Sequence, residues 1–333
     1  MFVYRSTVIA VIFFLMFLSA GCIRKADDDS PALTGKYLGQ TFPQQTIKVF
    51  APDFVSTRFS ERDAAFSPDG NEFYFTLSAR PMNAIIWTKL ENGQWTHPEV
   101  ASFSGKYSDL EPAFSHDGRR LYFVSNRPLS DSGEPKDYDI WYVEREGAGW
   151  GRPVNLGAPV NTEKDEFYPS LAVNGNIYFT AEYEKSEDIY RSRLVDGLYQ
   201  IPEKMSQAVN RDDTYEFNAF VAPDESYIIF TSYGRDDDMG GGDLYISFQT
   251  DAEIWNDAIN LGSDINSPVL DYCPYVTPDG MYFFFTSRRG GLSAHHETPL
   301  SYSRITEFMD RIENGQDNIY WIDIKAIRAF AKK

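Results

Sequence analysis

The chain has 333 residues, a formal net charge of −18, and aromatic side chains at 16% of its positions. So acidic a composition excludes nucleic acid as a partner, because that binding rests on basic surface; it favours solubility and attracts cations or basic partners. The weight of Phe and Tyr suits pleated sheets.

Arg5 precedes an apolar run from Val8 to Leu18 that is short for a membrane span and reads as a secretory signal. The run ends in Leu18-Ser-Ala-Gly-Cys22, which resembles the lipobox of bacterial lipoproteins. That resemblance implies removal of residues 1–21 and a lipid on Cys22; the alternative is an ordinary signal whose cysteine is incidental. Residues 22–45, with the cluster Asp27-Asp-Asp29 and then Ser, Pro, Gly and Gln, predict a flexible tether. The acidic cluster after the cysteine also resembles the surface-export signals of Bacteroidetes-type lipoproteins. The other cysteine, Cys273, then has no intramolecular partner and is expected to serve as a small apolar residue in a strand.

From residue 46 to 325 one pattern recurs five times. Each copy has an apolar strand, a turn, a dense second strand, then a third. The turns are anchored at Gly70, Gly118, Gly175, Glu225 and Gly280, with spacings of 48, 57, 50 and 55 residues. Asp-Gly and Asn-Gly supply the positive φ of tight hairpins, so Glu225 predicts a looser or strained turn. Second strands such as Leu121-Tyr-Phe123 and Tyr282-Phe-Phe-Phe285 are apolar on both faces and must be buried on both. Third strands include Asp139-Ile-Trp141 and Asp188-Ile-Tyr190, and fourth strands are expected near Trp95, Trp150, Tyr199 and Trp255. Four-strand units at this spacing are propeller blades. The fifth copy lacks a fourth strand, and Ile47–Val55 stands alone before the first. We expect that segment to pair with the last blade and close the ring, removing exposed edges.

Phe-Ser-Pro-Asp-Gly70, the Tyr-Phe pairs after four of the turns and the later Asp-Ile-Tyr190 resemble the PD40 (WD40-like) β-propeller repeats of TolB-type periplasmic proteins. The resemblance implies an all-β fold, a single five-bladed propeller over 46–325, followed by a C-terminal tail over 326–333. Propellers of this kind host binding, scaffolding and hydrolysis alike, so the fold names no activity. Between Ser287 and Asn318, Ile305, Phe308, Met309 and Ile312 fall at helical spacing. They predict one short helix inserted in the last blade, either capping it or offering an apolar face to a partner.

Nine residues before each anchor stands a carboxylate: Glu61, Asp109, Glu166, Glu216 and Asp271. In a propeller the first strand lines the channel, so these acids are expected around one channel mouth. Converging acids raise one another's pKa or recruit a cation, calcium included. Eight to ten residues after the anchors stand Arg80, Arg127, Lys185, Arg235 and Arg288. A regular hairpin brings position −9 opposite +8, so each acid can instead clasp its own blade's base. As a ligand site the ring comprises the five acids with Arg127, Arg235 and Arg288. A glycine-rich loop, Arg235-Asp-Asp-Asp-Met-Gly-Gly-Gly-Asp243, offers calcium-type ligands but does not match an EF-hand. No zinc set, no nucleophile elbow and no catalytic triad stand out.

These features read as a non-catalytic binding or scaffolding module, displayed as a lipoprotein on the bacterial outer membrane, periplasmic or surface-exposed. Its partner is an envelope protein or glycan, and no cofactor or structural metal is required. The alternative is an envelope carbohydrate-active hydrolase using two channel-mouth carboxylates.

Overall fold

The computed structural model describes residues 33–130, 133–183, 186–250 and 254–332; the signal segment, Cys22 and Lys185 lie outside them. Five antiparallel sheets form the blades. Their innermost strands are Ser60–Phe66, Asp109–Phe114, Glu166–Leu171, Tyr215–Val221 and Asp271–Val276. The second strands carry the blade interfaces: all of Ile177–Ala181 and Tyr282–Ser287 is buried. Aromatic rings interlock there, as where Phe50, Phe66, Phe73, Phe284 and Trp321 meet edge to face between the first and last blades.

The fourth strand of each blade is only two residues long and lies four residues beyond the aromatic that marked it. Val154–Asn155 pairs with Asp139–Glu146, whereas Gly149–Trp150 only extends the hairpin tip. In blades one to three Pro98, Pro153 and Pro202 lie in that gap, where a residue with no N–H interrupts the ladder; the fourth blade has the same offset without a proline. Closure follows the expected route: Lys48 and Val49 pair antiparallel with Trp321 and Tyr320 of the last blade.

The four turn glycines have φ between 65° and 90°, and Glu225 adopts the same conformation at 59°. Its turn is strained but not loose. The Glu225 carboxylate accepts from Asn174 Nδ2, Asn176 Nδ2 and Tyr178 Oη of the preceding blade, and those bonds hold its pKa below the ordinary value despite burial.

Both ends of the propeller segment depart from expectation. Residues 33–45, assigned by composition to the tether, pack on the propeller: Tyr37 and Leu38 are buried with Phe66 and Trp321, and Tyr37 Oη donates to Asp279 at 2.6 Å. The C-terminal tail is a helical turn, Lys325–Arg328, whose Ile327 is buried beside Ile324. Two apolar side chains in each short segment suffice to dock it, which average polarity hides. The inserted helix spans Tyr302–Met309, capped by Ser301, and none of its residues is buried. It does not cap the last blade. No described helix is long and apolar enough to cross a membrane.

Candidate binding site in the central channel

The five acids at position −9 are all buried, at 0–1% exposure, and each is engaged by its own blade or the loop leading into it. In three blades the partner is arginine. Arg127 Nη2 donates to Asp109 at 2.6 Å and to the Phe103 carbonyl, while its Nε donates to Ser125. Arg235 repeats this with Glu216, Val209 and Ser232, and Arg289 with Asp271, Ile265 and Ser287. Each guanidinium also sits over aromatic rings of its blade: Phe123 and Trp141, Phe230 and Tyr245, Phe285 and Tyr320.

The expected partner of Asp271 was Arg288, which instead pairs with Asp317 at 2.8 Å. A bulge accounts for the one-residue error. On every inner strand two residues oppose one of the second strand, between Arg62 and Ala65, Leu110 and Ala113, Phe167 and Ser170, Phe217 and Phe220, and Tyr272 and Tyr275. The extra residue moves Asp271 opposite Ser287, at +7 instead of +8. The arginine that reaches it lies two residues further on, on the same face.

Blades one and three differ. Glu61 accepts from the Thr57 amide and hydroxyl, and Glu166 from those of Thr162. Arg80 is exposed and has no hydrogen bond or ion pair with Glu61. Burial pushes Glu61 up and Glu166 to about 7; Lys185, the base expected opposite Glu166, lies outside the described residues. Asp109 is also raised by burial, with Arg127 pulling it back.

The bulges place a second ring in the channel. Asp63, Glu111, Tyr168, Asn218 and Cys273, each seven residues before its anchor, have φ between 50° and 63° and are buried. Threonines of the preceding blade fix three of these bulges: the Asp63, Glu111 and Asn218 amides donate to Thr286, Thr76 and Thr180. The second blade has Val124 at that position, and there Glu111 takes the role, its Oε2 accepting from the Tyr168 amide at 2.6 Å. Arg62 ties the ring together. Its Nε donates to Asp63 at 3.1 Å, and its Nη2 reaches Glu111 at 2.6 Å and Cys273 Sγ at 3.2 Å. Asn218 Nδ2 completes the contacts of Glu111 at 3.3 Å. Burial beside Asp63 pushes Glu111 up to about 7 against the pull of Arg62.

This ring went unseen in the sequence because its five members share no chemistry. The available signal was the fixed offset of two residues after each repeated acid. Cys273, expected among apolar neighbours, faces a guanidinium and an amide; burial still holds its thiol protonated.

Above the ring, on the face of the hairpin turns, lies a funnel of about 730 Å³. Its walls are largely apolar, with Phe66, Phe114, Leu171, Phe220, Tyr275 and Val276, and Asp63, Glu111 and Tyr168 form its floor. His116, Asp224 and Arg328 stand among the polar lining residues. The volume lies within the range of small-molecule sites, about 300–1,000 Å³. The glycine-rich loop has no comparable opening. Asp238 accepts from the Gly234 and Gly240 amides, Asp243 from that of Met239, and Asp237 from Tyr245 Oη. Its glycines are needed for close approach: a Cβ on Gly240 or Gly241 would lie 2.6 Å from the Pro268 carbonyl or the Leu270 nitrogen.

No family model matches the chain, and no curated protein does. Solved propellers resemble it at low identity. The TolB of Acinetobacter baumannii is 15% identical, covering 79% of this chain and 54% of its own, with a TM-score of 0.46. A TolB candidate from Agrobacterium tumefaciens is 16% identical over 72% and 73%, at 0.45. The α-L-arabinofuranosidase PaAbf62A of Podospora anserina is 10% identical over 84% and 98%, at 0.49. The likeness is one of fold.

Proposed function

We propose that this chain is a non-catalytic binding module of the bacterial envelope that takes its ligand in the turn-side funnel. The observation carrying this reading is an open, largely apolar cavity that ends on a polar ring, in a rigid, closed propeller. The five repeated acids, with Arg127 and Arg235, serve blade assembly in this reading, and Arg288 serves the Asp317 contact. A lipid on Cys22 would hold the module at the outer membrane, periplasmic or surface-exposed, through a tether that ends near residue 32.

Lipid-precursor labelling of wild type and Cys22→Ala tests the anchor; equal labelling would remove it. For the site, Ala113→Trp fills the funnel. Pull-downs from envelope extract should lose a partner that the wild type retains, and a partner kept by the variant would place binding elsewhere. One observation supports a second reading. Asp63 and Glu111 are two carboxylates at one cavity floor, and burial raises Glu111 to about 7, as suits the acid of a glycoside hydrolase. Glycan hydrolysis abolished by Glu111→Gln would replace binding with catalysis.

A further inference from the structure

The ligand class of the funnel can be read from the charge of its floor. Asp63 and Glu111 present two carboxylates to the cavity, and Arg62 is the cation that joins them. With both acids ionised the cluster is one positive charge short. The other ring members, Tyr168, Asn218 and Cys273, bring none: the tyrosine and the thiol are both held neutral by burial. Farther out, Asp224 and Arg328 oppose each other in sign, and His116 is engaged with the Leu171 carbonyl. The missing charge therefore lies at the bottom, beneath apolar walls.

We propose that the funnel binds an amphiphilic organic cation, an ammonium group on an apolar body, with the ammonium at the Asp63–Glu111 floor and the body against Phe66, Phe114, Phe220 and Tyr275. This rests on the funnel being the binding site. The apolar body gains from leaving water, while the ammonium compensates a charge otherwise buried alone. A fully hydrated metal ion gains nothing from such walls, and an anion meets like charge. Glu111 must be ionised to complete the site, so binding at low pH displaces its proton. With Glu111 titrating at about 7, affinity falls about tenfold from pH 8 to pH 6.

Calorimetric titration of the full chain with three near-isosteric probes tests this: 3-phenylpropylamine, 3-phenylpropanol and 3-phenylpropionate. The amine should bind at least tenfold more tightly than the alcohol, and the carboxylate should not bind. At pH 6 the amine should release protons, read from the dependence of its binding enthalpy on buffer ionisation. Glu111→Gln should abolish the preference for amine over alcohol, with folding checked by thermal melting. Should that variant misfold, the pH series on wild type decides alone. Equal binding of amine and alcohol, or no proton release at pH 6, overturns the cationic class and leaves the funnel reading standing. Failure of all three probes to bind overturns both.

Discussion

Blades two, four and five set an arginine on the acid of their inner strand, with a hydroxyl of Thr214 or Ser267 added in blades four and five, whereas in blades one and three the acid accepts from Thr57 or Thr162. All five begin with the same buried acid, so the repeat preserves the acid but not its compensation. Where Arg127, Arg235 or Arg289 lies across the hairpin, the charge is matched and capped by aromatic rings. Where Thr57 or Thr162 reaches back, the acid receives hydrogen bonds and, among the described residues, no ion pair, and Glu166 rises to about 7. Hydrogen-bonding an acid and neutralising its charge are different tasks: every blade does the first on at least one carboxylate oxygen, while Asp109 Oδ2 in blade two is buried without a partner.

The sharpest way to break this comparison is to strip the arginine from blade four, where Thr214 already donates to Glu216 as Thr162 does to Glu166. Arg235→Met leaves Glu216 buried, both side chains being at most 1% exposed. It should cost about 3–5 kcal/mol, measured by urea unfolding. Arg235→Met with Glu216→Gln should recover much of that loss; no recovery would deny the charge its role. Next in size, Arg289→Met should cost about 2 kcal/mol by leaving Asp271 unpaired in charge. Arg288→Met should cost less than about 1 kcal/mol, because its pair with Asp317 is partly solvated. The reverse order would restore the unbulged register.

The threonine blades give a pH signature. Glu166 has a folded pKa near 7 against 4.5 for the unperturbed group, so between those values the folded state holds a proton that the unfolded chain has released. Its contribution therefore falls as pH rises from 4.5 to 7, and levels off above. Glu166→Gln should remove about one proton from that slope and gain roughly 2–3 kcal/mol at pH 8 relative to pH 5. An unchanged slope would show that Thr162 compensates as fully as arginine does. The smallest effect concerns the odd turn. Glu225→Ala should cost about 1 kcal/mol more than Glu225→Gly, because both lose the bonds to the third blade while only glycine relieves the positive φ.

The legible parts of this molecule are those written locally and repeated. Gly70, Gly118, Gly175 and Gly280 mark turns by their own conformational freedom, and dense strands such as Phe283-Phe-Phe285 announce burial on both faces. The lone strand before the first repeat implied closure by simple counting of strands. Docking of Tyr37 and Ile327 was hidden because a single buried ring or branched chain barely moves the average of a polar segment.

By itself, the sequence determined five blades, the order of their strands, the closing pairing and the acid that opens each inner strand, since all of these follow from period and turn chemistry. Only the tertiary structure decided which base meets which acid, because one bulged residue per strand shifts the register and cannot be counted from the turn. It alone also showed that Asp63, Glu111, Tyr168, Asn218 and Cys273 form one ring, since five unlike residues spread over the chain acquire a common chemistry only when five strands converge on an axis.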